Sequence, residues 1–232
     1  VIIGGTVSEV LASRVPGFAA GDIVSGYTGW QAYAIARGDE PNFFKVDSSL
    51  APVSTALGVL GLTGHTAYFG MREVGKPVAG ETVVVSAAAG AVGSTAGQIA
   101  KIAGCRVVGI AGREEKCTVV RDVFGFDACV NYQSPTFDAD LHAACPDGVD
   151  VYFENVGGIS MEAVLPLLNP GARVPVCGFM AGYGDTGREP VSPLVMLAEN
   201  PMVPHYRFFV VTDYAAEFPA VTRQLGEWLR EG

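Results

Sequence analysis

The stretch VVVSAAAGAVGSTAGQIAKIAGCRVVGIAGR, running from Val83 to Arg113, decides the fold. It opens as an apolar strand, turns on small residues, continues with helical spacing and closes as a second apolar strand. Small residues are needed at such a turn when a backbone must come close to a ligand. A helix that starts there offers free N–H groups and a partial positive charge, which suits a pyrophosphate. Gly90, Ala91, Val92 and Gly93 occupy that position, in the pattern A-x-G-x-x-G. The same pattern is open to a plainer reading, a tight strand-to-helix turn that binds something else. The order strand, glycines, helix, strand favours a dinucleotide. No Gly-Lys-Ser/Thr follows, so the turn is not a mononucleotide P-loop.

Outward from this stretch the rhythm repeats. Strands are expected at Thr82–Ser86, Arg106–Ala111, Ala128–Asn131, Val149–Glu154, Ala172–Cys177 and Arg207–Thr212. Helices are expected at Gly93–Ala103, Glu114–Phe124, Phe137–Ala144, Ile159–Leu168 and Tyr214–Arg230. Gly104 and Gly125 stand where glycine ends a helix. Short continuous apolar strands alternating with helices imply a parallel sheet covered on both faces. Residues 1–48 read instead as short strands, at Thr6–Ala12, Ile23–Ser25 and Gln31–Ala36, too few to close a core. Residues 49–80 form a helical connection, with helical spacing over Leu50–Leu60 and a helix start at Thr63–Phe69. Residues 81–232 form the dinucleotide-binding domain. Gly182–Pro204, rich in Gly and Pro, reads as a long loop.

Composition excludes several classes. The net charge is −9, which argues against a nucleic-acid backbone as partner. No apolar run is long enough to cross a bilayer. The five cysteines, at 105, 117, 129, 145 and 177, are widely spaced and accompany three histidines, so no metal site is expected. Free thiols suit a reducing cytoplasm. Val1 reads as the middle of a sheet, so segments before Val1 and after Gly232 are expected.

The end of the second strand separates two cofactors. A site for NAD places an acid there to hold the ribose 2′-hydroxyl. Here it reads Ile110-Ala111-Gly112-Arg113, with Lys116 close behind. Glycine makes room and the cations attract, so NADP(H) is expected. Arg113 and Lys116 also admit the reading of a solvated surface pair.

These residues carry a resemblance. The chain resembles the zinc-independent medium-chain dehydrogenase/reductase superfamily, and within it the NADPH-dependent enone reductases grouped with leukotriene B4 dehydrogenase, prostaglandin reductase and curcumin reductase. The matching stretches are Gly58–Gly70, Val83–Lys116, Gly125–Tyr132, Tyr152–Gly158, Val176–Gly178 and Val211–Tyr214. The resemblance implies a Rossmann doubly wound parallel sheet, with Val1–Asp47 as part of a GroES-like β-barrel catalytic domain. It implies that Lys116 and Tyr132 meet the 2′-phosphate and that Asn155 touches the cofactor. It implies that Cys177, Gly178 and Phe179 begin a loop under the nicotinamide, running to Tyr183, and that Phe209, Val210 and Val211 flank that ring. Tyr183 falls where the family has a tyrosine that assists catalysis. The chain departs from the family at Ala181-Gly182-Tyr183-Gly184, where Tyr-Asn is usual, and at His65, where an apolar residue is usual.

The activity implied is reduction of the C=C bond of α,β-unsaturated ketones or aldehydes, small-molecule substrates, by a homodimer. Tyr183 is the candidate donor to the carbonyl oxygen, a phenol protonated at neutral pH. Two alternatives stand beside it: an NADPH quinone reductase on the same fold, and an NADPH-binding protein without catalysis. His65 reads as a packed histidine at a helix start rather than a general base. Trp30 and Tyr33 line a substrate pocket or pack in the barrel, and Cys177 is reactive or an inert buried thiol.

Overall fold

Parallel strands buried on both faces read as near-continuous apolar runs, and the central strands here are mostly apolar. The structure, a computed structural model, describes residues 2, 4–40, 43–183 and 192–232. Two compact units divide the chain: Thr66–Val210, and Val1–His65 together with Val211–Gly232. In chain order the elements are β1 (Thr6–Glu9), β2 (Ile23–Gly26), β3 (Phe44–Lys45), α1 (Leu62–Phe69), β4 (Thr82–Val85), α2 (Ala91–Ile102), β5 (Arg106–Ala111), α3 (Glu114–Asp122), β6 (Ala128–Asn131), α4 (Phe137–Ala144), β7 (Val149–Phe153), α5 (Gly158–Val164), β8 (Leu168–Val176), α6 (Pro193–Ala198), β9 (His205–Phe208) and α7 (Phe218–Glu231).

In the larger unit six parallel strands lie in the order β6-β5-β4-β7-β8-β9. This is the Rossmann-type doubly wound sheet expected from the sequence. Alternate side chains divide between two cores. Val84, Val108, Ile110 and Tyr152 enter one with α4, α5 and α6, through Leu141, Met161 and Leu197. Val83, Val85, Val107, Val151 and Phe153 enter the other with Ala96 and Ala100 of α2, Val120 of α3 and Met71. Full burial of each such side chain is worth about 1.5–3 kcal/mol. Glycine tightens the packing where α2 crosses the sheet, since a Cβ on Gly97 would lie 1.8 Å from the Phe126 ring. The chain leaves β4 for β5 and β6 on one side and returns to β7 on the other. The strand order therefore reverses between β4 and β7, and a crevice opens beyond their carboxyl ends.

The smaller unit holds the antiparallel sheet β1-β2-β3 and the amphipathic α7. His65 is 1% exposed and stacks on Phe218 with ring centroids 4.3 Å apart. Its Nε2 lies 2.8 Å from the Thr222 hydroxyl, and Nδ1 has no partner among the described residues. Burial pushes its pKa down to about 4. This is the packed histidine of the sequence reading.

Several expectations shift. The strand expected at Gln31–Ala36 does not form: Tyr33 and Ile35 are exposed, and among the described residues no strand pairs with the segment. The ladder partner of β2 is β3, further on. Leu50–Leu60 yields only a 3-10 turn, Val53–Leu57, because Pro52 and Gly58 bracket it. Within Gly182–Pro204, residues 193–198 form α6, with Pro193 in the first turn. β9 lies earlier than Arg207–Thr212, and Val211 opens a 3-10 turn instead. The compact units are bounded at His65/Thr66 and at Val210/Val211. Gly70–Gly75, a π-type turn, packs on β7 and β8, while Gly226 of α7 meets Leu50.

The His65 environment has a measurable consequence. The folded chain binds fewer protons than the unfolded chain between pH 6.5 and about 4, so stability falls as pH falls through that window. The slope reaches about 1.4 kcal/mol per pH unit. His65→Gln keeps an amide donor for Thr222 but does not titrate. Thermal unfolding from pH 7 to 4 should show a shallower loss in the variant; parallel curves would remove His65 as the cause.

Candidate functional site

The crevice is built from the ends of five strands. After β4 the chain turns through Ser86–Gly90 into α2. Ala87 adopts φ +50°, a left-handed conformation rare for alanine, and Gly90 accepts the first helical bond, from the Ser94 amide at 2.9 Å. The amides of Ala91, Val92 and Gly93 precede that bond, and no side chain caps the helix. Gly90 and Ala91 are exposed, whereas Gly93 is buried. A Cβ on Gly93 would lie 2.4 Å from the Ala87 carbonyl oxygen, so only glycine lets the helix start this close to the strand. This arrangement can hold an anionic phosphate pair.

β5 ends beside β6, with Ala111 in register with Asn131. The next pair along is Gly112 and Tyr132. A Cβ on Gly112 would fall 2.9 Å from the Tyr132 hydroxyl and ring, so glycine leaves the space that the phenol borders. Arg113 is the residue before α3 and Lys116 lies in its first turn, both exposed. No carboxylate ends the strand. Glu114 instead turns to Arg121, at 3.1 Å. Glycine thus lets the Tyr132 phenol pack against the end of β5, with two exposed cations following at the start of α3, groups whose chemistry suits a phosphorylated ribose.

At the reversal point β7 continues into Glu154-Asn155. Asn155 is clamped to the β4 turn twice. Its amide nitrogen donates to Ser86 Oγ at 2.8 Å, and its Nδ2 donates to the Ser86 carbonyl at 2.7 Å. Glu154 is fully buried. Its Oε1 accepts from Ser86 Oγ at 2.8 Å, from the Gly157 amide at 2.9 Å and from the Val156 amide. Its Oε2 accepts from the Tyr152 hydroxyl at 2.5 Å. Burial pushes the Glu154 carboxyl up, opposed by these four donors, and burial beside Glu154 holds the Tyr152 phenol well above its ordinary range. Gly157, at φ +73° and ψ −157°, takes a conformation open essentially to glycine alone. The sequence reading missed Glu154. Its signal was present: in a strand buried on both faces, Tyr152 and Glu154 lie two apart on one side.

The loop after β8 hangs on the same residues. The Cys177 and Gly178 amides donate to the Glu154 carbonyl at 2.8 and 3.3 Å, Met180 to Asn155 and Ala181 to Val156. Burial pushes the Cys177 thiol up to about 11, the inert form of the two readings. Phe179 packs near Gly157. Tyr183 closes the 3-10 turn Met180–Tyr183; its side chain lies outside the described residues, as does Gly184. Phe209 is buried, its ring edge-on to Phe153 and over Gly70. Val210 is exposed, and Val211 belongs to the other unit. The geometry thus gathers Gly90–Gly93, Asn155 and Cys177–Phe179 around the carboxyl ends of β4, β7 and β8, and Gly112, Arg113, Lys116 and Tyr132 at the ends of β5 and β6. Phe209 stands apart, in the core.

Comparison with known proteins agrees with this architecture. The family described as zinc-binding dehydrogenase matches residues 91–224, and the N-terminal domain of oxidoreductase matches residues 1–46. The chain is 45% identical to the NADPH-dependent curcumin reductase of Escherichia coli K12, across all of this chain and 68% of that protein. It is 43% identical to the NADP-dependent 2-alkenal reductase of Nicotiana tabacum, across 94% of this chain and 63% of that protein. The solved structure of CurA from Vibrio vulnificus in complex with NADPH superposes with a TM-score of 0.90 at 42% identity, covering 99% of this chain and 69% of that one. The chain thus spans about two thirds of the relatives it matches. Among the described residues no three His, Cys, Asp or Glu side chains gather at metal-ligand range, so the described residues do not fit a zinc ion.

Proposed function

The chain belongs to the zinc-binding dehydrogenase family, and on that premise we propose that it is an NADPH-dependent reductase of the C=C bond in α,β-unsaturated ketones and aldehydes. The observation that carries this reading is the likeness, along the whole chain, to a curcumin reductase and an alkenal reductase. The crevice supports it with a turn for paired phosphates and a strand end free of acid.

When bound, NADPH supplies the hydride for the β-carbon of the substrate. The chain's own groups bind, orient and donate. The amides of Ala91–Gly93 hold the pyrophosphate at the positive end of α2. Arg113, Lys116 and Tyr132 hold the 2′-phosphate, the cations by charge and the phenol by hydrogen bonding. Asn155, fixed to Ser86, would offer its remaining amide oxygen to the cofactor, and the Cys177–Phe179 turn would hold the nicotinamide. As negative charge grows on the substrate carbonyl oxygen, the Tyr183 hydroxyl donates to it.

The finer surroundings follow the same reading. β9 is the edge of the sheet, with Tyr206 and Phe208 exposed, which supports a homodimer joined strand to strand. The five free cysteines support a reducing, cytoplasmic setting. No described helix is long and apolar enough to cross a membrane.

Three outcomes test this account. Lys116→Ala should raise the NADPH dissociation constant by about tenfold while leaving NADH binding unchanged, measured by nicotinamide fluorescence; equal losses would refute a 2′-phosphate role. Tyr183→Phe should lower kcat on an enone by about a hundredfold with little change in NADPH affinity, and unchanged turnover would retire it as the donor. Sedimentation should give twice the 24.2 kDa chain mass, reduced to one chain by Phe208→Asp; a single chain at all concentrations would reject the pairing.

A further inference from the structure

We propose that Glu154 is a positioning residue for hydride transfer, holding Asn155 and the loop that follows β8 in register with the phosphate-binding turn. The inference rests on the reductase reading above and adds to it a residue that need not touch cofactor or substrate.

A fully buried carboxyl in the centre of a parallel sheet is costly unless it is well hydrogen-bonded. Glu154 sits beside the strand-order reversal, where the backbones after β4 and β7 diverge and the regular ladder stops. Its side chain replaces the missing ladder. One oxygen draws in Ser86 from the β4 turn and the Val156 and Gly157 amides from its own loop. The other is held by Tyr152, so the carboxyl cannot rotate away. Its main-chain carbonyl fixes Cys177 and Gly178, and its amide donates to Pro175. Three crevice loops therefore converge on a single residue.

Asn155 is the residue placed by this hub. Ser86 Oγ receives the Asn155 amide while it donates to Glu154, so the hydroxyl has one role for each neighbour. Both Asn155 nitrogens thereby donate to Ser86, and Oδ1 is the side chain's remaining acceptor. That oxygen is aimed only as well as Ser86 and Glu154 are. The phosphate contacts, in contrast, belong to α2 and to the far side of the sheet at Gly112. Loss of the hub should therefore damage the reacting end and leave the phosphates held.

The test uses Glu154→Leu and Glu154→Gln in the full chain. Leucine fills the space and removes every acceptor; glutamine keeps Oε1 for Ser86, Val156 and Gly157 and turns an amide toward the Tyr152 oxygen. For Glu154→Leu the expected result is a kcat on an enone reduced about tenfold or more per folded molecule, with the NADPH dissociation constant changed less than about threefold. Glutamine should restore most of kcat. If the leucine variant does not fold, Ser86→Ala, which deletes the link between the two loops, is expected to give the same split. Unchanged kcat, a kcat and affinity that fall together, or failure of glutamine to restore turnover would each overturn the positioning role. If the unaltered chain binds no NADPH or reduces no enone, the reductase reading fails first, and that outcome is separate from any behaviour of the variants.

Discussion

A parallel sheet whose strand order reverses must leave backbone groups unpaired where the loops part, and the rest of this structure depends on how those groups are answered. Here the answer is polar and local. Ser86, Glu154 and Asn155 exchange hydrogen bonds across the gap between β4 and β7, so the loops that diverge in space remain tied at their roots. The sheet below is apolar on both faces and would tolerate many exchanges of similar volume. The tie above it would not, because each buried donor released there costs about 1–3 kcal/mol.

Two separate parts of the crevice follow from this arrangement. One is made of backbone: the α2 turn, shaped by Gly93 and by the left-handed Ala87, where side-chain identity matters mainly by being small. The other is made of side chains: Arg113, Lys116 and Tyr132 around Gly112, where charge and ring geometry matter. The first suits any dinucleotide. In the proposed reading the second separates one with a 2′-phosphate from one without; the relatives are named for NADPH.

Much of this could be read from the sequence, and the unread parts share a cause. β4 and β5 were visible because burial on both faces leaves a nearly continuous apolar run. The α2 turn was visible because glycine there has a steric reason. Gln31–Ala36 misled, because alternation signals a strand only when a neighbour exists to pair with it, and pairing is not a local property. α6 was hidden by its flanking glycines and prolines, although Pro193 at a first helical turn is itself a start signal. Glu154 went unnoticed as one acid among many. Its importance comes from Ser86, 68 residues earlier in the chain, and no short window contains both.

Neither α2 nor α3 carries a capping side chain: Gly90 and Arg113 stand where serine or aspartate would ordinarily close the helix. Both helix starts keep amides that no side chain answers, and in the proposed reading a bound phosphate would answer them. Folding and occupancy are coupled by mass action, worth about 2.7 kcal/mol when the ligand stands at 100 times its dissociation constant. Resistance of the chain to proteolysis would then rise with the concentration of phosphate-bearing dinucleotide around it, whichever redox state its ring is in.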